Sequence, residues 1–139
     1  ALSRLEDPRI KPIGQTEVLL SGMIAYDMDY TGPAFDPAEG ERLAGLLGDK
    51  KILFMANHGI ATFGGSVAEA FEWLYYIERA AQVQLYAMWT GQKLLNMKPE
   101  VETITRHMKG QNFQQGKPYV YHFEALKRML NRKEPDYKE

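Results

Sequence analysis

Three side chains in this sequence are of the type that ligates a transition metal or passes a proton near neutrality: His58, His107 and His122. There is no cysteine. A protein zinc site takes at least three ligands from the chain. His107 and His122 lie far along the sequence in helical contexts, without a spacing that marks a shared site with His58. Read on residues alone, His107 is an exposed surface histidine. His122 is a structural one, capping a helix or touching a neighbouring subunit. His58, in the run Asn57-His58-Gly59, is a structural or surface residue at a strand turn.

The stretch that must position His58 runs from Lys51 to Gly91. Two brief apolar runs, Ile52–Ala56 and Ile60–Phe63, are bounded by turn residues and read as buried strands. Asn57 and Gly59 both tolerate positive φ, so a tight turn between the strands can hold the imidazole in a fixed direction. Ser66-Val67-Ala68-Glu69 is a capping box that opens a helix, and Gly91 ends it. Val67, Ala70, Phe71, Leu74, Ile77, Ala81, Leu85 and Met88 fall at a spacing that predicts one apolar stripe along this helix. At 1.5 Å rise per residue the helix would span roughly 35 Å. Leu74, mid-stripe, is expected to cost about 2–5 kcal/mol on truncation to Ala. Aromatic residues on other sides of the helix make it a candidate subunit contact.

Ahead of this stretch, residues 10–30 predict a loop, a short helix or strand, and then a strand through Ile24-Ala25-Tyr26. That strand ends in the turn-rich Asp27 to Pro33. Asp36-Pro37-Ala38-Glu39 opens a helix with Leu43, Ala44, Leu46 and Leu47 on one side, ending at Gly48. The order strand, helix, strand, strand, long helix, with a two-strand return at His58, predicts an α/β domain with a mixed or antiparallel sheet. Residues 92–118 are expected to be flexible or irregular, with a helix possible from Pro99 through Lys109. An amphipathic helix over Tyr121–Leu130, with Phe123, Leu126, Met129 and Leu130 as its apolar side, closes the chain.

The 139 residues, 45% hydrophobic, describe one globular domain or a piece of one. A net charge of −1 supplies no field for nucleic acid or an anionic membrane, and neither is expected as a partner. Without cysteine a disulfide scaffold is excluded, and the apolar runs fall far short of the ~20 residues of a membrane span. A cytoplasmic location is the default expectation.

The run Leu53-Phe54-Met55-Ala56-Asn57-His58-Gly59-Ile60, followed by Gly64, Val67, Glu69-Ala70-Phe71, Leu74-Tyr75-Tyr76, Glu78-Arg79-Ala80 and Gln82-Val83-Gln84, resembles the class II aldolase and adducin head-domain family. The resemblance is close over about forty residues and collinear toward both ends. It implies a three-layer α/β/α class II aldolase-like fold with a mixed or antiparallel central sheet. It implies that His58 is the third histidine ligand of a catalytic zinc or another divalent cation. In this branch of the family a His-x-His pair precedes a stretch similar to Ala1–Pro8, and a carboxylate further upstream is the acid/base. With no initiator Met and a start that reads as cut in mid-element, residues 1–139 are expected to be the C-terminal part of a single class II aldolase/adducin-like domain, roughly its second half. That part is expected to be inactive alone and to bind metal weakly or not at all.

For the parent protein the resemblance implies a lyase acting on a small keto-sugar phosphate or related carbonyl substrate through a metal-stabilised enediolate. Family members place a loop tyrosine near the metal site of a neighbouring subunit. Tyr26 or Tyr30 matches that place and is the candidate catalytic residue, although either one taken singly also fits a ring packed at a strand end with its hydroxyl in water. The resemblance further implies a homo-oligomer, with a tetramer favoured. The alternative it allows is a non-catalytic, adducin-like interaction module that assembles into oligomers.

Overall fold

The computed structural model describes residues 1–29, 31–32 and 36–138, with the backbone alone for 108–116. Tyr30 and Pro33 lie outside the described residues. A 3-10 turn, Leu2–Arg4, opens the chain. It is followed by α1 (Gln15–Ser21), β1 (Ile24–Asp27), α2 (Pro37–Leu47), β2 (Ile52–Met55), β3 (Gly59–Thr62), α3 (Val67–Trp89), α4 (Pro99–Gly116), α5 (Pro118–Lys133) and a second 3-10 turn, Pro135–Lys138.

The sheet has the order β1-β2-β3, and it is mixed. β1 runs parallel to β2 with Tyr26 opposite Phe54, and β2 returns antiparallel into β3 with Met55 opposite Gly59. Ile52, Leu53 and Phe54 are all buried, which is why β2 reads as an unbroken apolar run: a strand covered on both faces has no polar side. Alternation assigns the faces. Ile24, Ile52 and Phe54 join Trp73, Ile77 and Ala80 of α3 in one core cluster, completed by Leu2, Ile10 and Leu20. Ala25, Asp27 and Leu53 point the other way. There Asp27 is gripped by Arg42 of α2, so α2 covers the face opposite α3 and the chain forms three layers.

Local signals set the element ends. Ser66 Oγ accepts the Glu69 N–H at 3.2 Å while a Glu69 carboxylate oxygen accepts the Gly65 N–H at 2.8 Å, satisfying two donors at the start of α3. Gly64 passes so close that a Cβ there would lie 2.8 Å from the Ala70 nitrogen, which leaves room for glycine alone. Asp36 caps α2 through the Ala38 N–H at 2.9 Å with Pro37 behind it, and Gly91 leaves α3 at φ 71°.

Two expectations are corrected. The buried line of α3 is Glu72, Trp73, Ile77, Ala80 and Gln84, whereas Leu74 is 42% exposed and Val67 and Met88 also face out. Apolar residues wrap more than one side of this helix, and the sheet selects the side whose two polar members have partners. Residues 92–118, expected to be irregular, contain α4, which continues past Lys109 to Gly116. Pro99 starts it at the position where its missing N–H costs nothing, and Glu, Lys and Gln are adequate helix formers without periodicity.

Candidate metal centre

His58 lies in the turn between β2 and β3, outside the strand ends and exposed. Asn57 before it sits at φ 58° and Gly59 after it at φ 149°, conformations that Asn and Gly adopt at little cost. The turn is fastened by backbone bonds. The His58 N–H donates to the Met55 carbonyl at 3.2 Å, and the Ala56 N–H to the Asp27 carbonyl at 2.8 Å. The start of the chain adds two more: the Asn57 N–H donates to the Ser3 carbonyl at 2.8 Å, and Arg4 Nη2 to the His58 carbonyl at 3.3 Å. Leu2 and Ser3 are buried, so this clamp is anchored in the core. The consequence is a histidine whose backbone is fixed by two strands and the N-terminal 3-10 turn, while its ring remains accessible.

Tyr26 occupies β1 on the α3 side of the sheet, its ring 5.5 Å from that of Phe54. Its hydroxyl accepts the Ile10 N–H at 3.1 Å, and the Arg9 guanidinium lies over the ring at 5.9 Å. Burial pushes the phenol above its usual value, with the Ile10 hydrogen bond acting in the opposite direction. This hydroxyl holds a loop of its own chain.

The other histidines stay apart from His58 in sequence and in bonding. His107 is exposed on α4, its Nδ1 3.0 Å from the Thr103 carbonyl oxygen, as expected for a surface residue. His122 on α5 meets the buried Glu72 of α3, Nδ1 to carboxylate oxygen 2.5 Å, with its ring edge-on to Tyr75 at 4.7 Å. It is a structural contact within the chain. Among the described residues no group of three or more His, Cys, Asp or Glu stands together to hold a metal. His58 is therefore one ligand at most, and these residues do not by themselves fit a metal centre.

Sequence reasoning missed Gln84, which is fully buried. Its Oε1 accepts the Lys11 N–H at 2.7 Å and its Nε2 donates to the Arg9 carbonyl at 3.0 Å. With Tyr26 on Ile10 and the Met97 N–H on the Pro12 carbonyl at 2.7 Å, residues 9–12 form a strap held at every residue. A polar residue on the sheet-facing line of a long helix is the signal that could have found it.

A mixed sheet between helices, with an accessible histidine fixed at a β-turn, defines an α/β domain of the aldolase type. The sequence profile of the class II aldolase and adducin N-terminal domain matches residues 1–85, and the chain belongs to that family. A Caulobacter vibrioides protein named for the class 2 aldolases is 34% identical over 89 residues, covering 64% of this chain and 34% of that protein. A Pseudomonas aeruginosa protein of the same designation is 28% identical over 130 residues, covering 92% of this chain and 50% of its own length. Human gamma-adducin is 36% identical over 80 residues, 57% of this chain and 11% of that protein.

Among solved structures, an aldolase II superfamily protein from Pseudomonas syringae superposes with a TM-score of 0.88 at 34% identity, over 99% of this chain and 54% of that one. The L-fuculose 1-phosphate aldolase of Glaciozyma antarctica shares the fold, with a TM-score of 0.70 at 22% identity over 95% of this chain and 49% of that one. The chain thus spans between a third and a half of the length of the aldolase-named relatives it matches. No helix among the described residues is long and apolar enough to cross a membrane.

Proposed function

We propose that this chain is the His58-bearing, C-terminal part of a divalent-metal-dependent class II aldolase-type lyase whose substrate is a small keto-sugar phosphate or related carbonyl compound. The observation that carries the reading is the clamp on the His58 turn: Ser3 and Arg4 bond to the backbone of Asn57 and His58, so the start of the chain is fastened to the turn that bears the candidate ligand. Residues preceding Ala1 in a longer protein could reach the same metal from there. The relatives named for class 2 aldolases, each at least twice the length this chain matches, support the assignment to a larger catalytic unit. One imidazole does not make a site, so no reaction step is assigned to this chain alone.

The reading takes zinc or a similar divalent cation as the cofactor, a homo-oligomer, favouring a tetramer, as the assembly, and the cytoplasm as the location. Its test is elemental analysis of the 139-residue chain and of the protein extended upstream. The expected result is no stoichiometric metal in the first and about one ion per chain in the second, followed by retro-aldol turnover of keto-sugar phosphates. Absence of metal and turnover in the extended protein would sink the enzyme reading. The identity to gamma-adducin then favours the other reading, a non-catalytic oligomeric interaction module.

A further inference from the structure

An open trough of about 550 Å³ lies between α3 and the first residues of the chain. Leu2 and Leu5 supply one wall, and Leu85, Tyr86, Met88 and Trp89, from the last turns of α3, supply the other. Trp89 and Tyr86 are 84% and 61% exposed, with their rings stacked at 6.4 Å. The polar side chains of the lining, Glu78 and Gln82, are bonded to each other at 3.0 Å. A stacked aromatic pair left facing water beside other apolar residues marks a contact surface.

The start of the chain indicates what lies on it. Ala1 and Leu2 border this trough and also a smaller cavity of about 80 Å³ that reaches Gly59 and Ile60, next to the His58 turn. A residue joined to Ala1 lies one Cα step of about 3.8 Å from the trough wall. The two Pseudomonas relatives are matched over only 50% and 54% of their own length, by 92% and 99% of this chain. Segments of one domain share one hydrophobic core, so further chain needs an apolar surface to pack on.

We propose, resting on the reading of residues 1–139 as part of a longer protein, that the segment preceding Ala1 packs into this trough and covers Tyr86 and Trp89. The segment brings apolar side chains, because Glu78 and Gln82 already satisfy each other. A second copy of the chain is the weaker occupant. A tethered segment is present at an effective concentration in the millimolar range, and a second copy must displace it. Filling the trough also braces the 3-10 turn whose Ser3 carbonyl accepts the Asn57 N–H.

The test is made on the protein extended upstream. Hydroxyl-radical footprinting read by mass spectrometry compares Tyr86 with Tyr121 of α5, which lies outside the trough and is 73% exposed. Without a cover the two tyrosines should oxidise at similar rates. The expected result is oxidation of Tyr86 several-fold slower than that of Tyr121. In a second measurement, Trp89→p-benzoylphenylalanine is illuminated in an equal mixture of 14N- and 15N-labelled protein. The expected adduct joins position 89 to a peptide upstream of Ala1 within one molecule.

Equal oxidation of Tyr86 and Tyr121 overturns the proposal, and that readout uses the unsubstituted protein, so it holds even where the position 89 variant fails to fold. Adducts between light and heavy molecules would make the trough an interface between copies. Adducts confined to residues 1–139 of one molecule would overturn it as well. Metal content and turnover are separate readouts: a protein protected and cross-linked as expected but free of metal keeps this packing and sinks the enzyme reading, whereas a metal-loaded protein with Tyr86 exposed does the reverse.

Discussion

Gln84 accepts the backbone N–H of Lys11 at 2.7 Å across 73 residues of sequence, and the same amide donates to the Arg9 carbonyl. One fully buried side chain thus ties the middle of the longest helix to the strap at residues 9–12. Tyr26 holds the strap from the sheet and Met97 holds it from the segment before α4. The strap joins three parts of the molecule that have little local reason to meet.

Replacing Gln84 with Leu keeps the volume close but orphans a buried donor and a buried acceptor. The expected cost is about 2–4 kcal/mol, since each unsatisfied group loses about 1–3 kcal/mol. Gln84→Glu keeps the acceptor for Lys11 but sets a fully buried carboxylate against the Arg9 carbonyl, and should cost at least as much as Gln84→Leu at pH 7. Urea unfolding with tryptophan fluorescence measures both. A Q84L chain as stable as the parent would mean that water replaces the amide.

The α3 core face predicts a contrast between adjacent turns. Ile77 is fully buried among Ile52, Phe54 and Trp73, so Ile77→Ala should cost about 2–5 kcal/mol. Leu74, 42% exposed, should cost under about 1 kcal/mol on the same truncation. Equal losses at the two positions would show that the Leu74 side is covered in solution, and thermal unfolding at several protein concentrations would identify a second copy as the cover.

These contrasts explain what was legible in the sequence. The two strands, the His58 turn, the capping box at Ser66 and the proline-led start at Pro37 were readable because each depends on residues within a few positions of one another. The buried side of α3 was not. Glu72 and Gln84 look like solvent-facing residues until His122, 50 positions on, and Arg9 and Lys11, more than 70 positions back, supply their partners. The clamp on the candidate ligand was hidden for a related reason: the Asn57 bond to Ser3 joins backbone to backbone, and every residue type carries those atoms. The full length of α4 was obscured by Gly110 and by the absence of an apolar stripe, since helix formers without periodicity leave little signal.

Asp27 and Arg42 set an acid limit on stability. The Arg42 guanidinium bonds both Asp27 carboxylate oxygens, at 3.1 and 2.8 Å, and holds that carboxyl below the usual carboxylate range. A depressed folded pKa gives stabilisation that is complete above the unfolded value of about 4 and is lost as pH falls through the lower folded value. Stability should therefore decline below about pH 4, and Arg42→Met should flatten this limb while lowering stability at pH 7, because Asp27 keeps its burial and loses its partner. Denaturant midpoints between pH 2 and 7 for both chains test it. Parallel curves would assign the acid limb to other carboxylates.

His58→Ala separates the fold from the metal. The ring is exposed and the clamp uses the backbone of residue 58, which alanine also supplies, so the substituted chain should keep the parent's fold, read by circular dichroism. Asn57→Val is the structural counterpart: at φ 58° a β-branched side chain costs about 1–2 kcal/mol and loosens the turn that aims the imidazole. In the protein extended upstream, His58→Ala is expected to reduce bound metal from about one ion per chain to near zero with its molar mass unchanged. Asn57→Val should leave the ion present but weaken its hold, read as faster loss to a chelator. A full complement of metal in the His58→Ala protein would remove this residue from the ligand set and leave it as a histidine that the turn happens to carry.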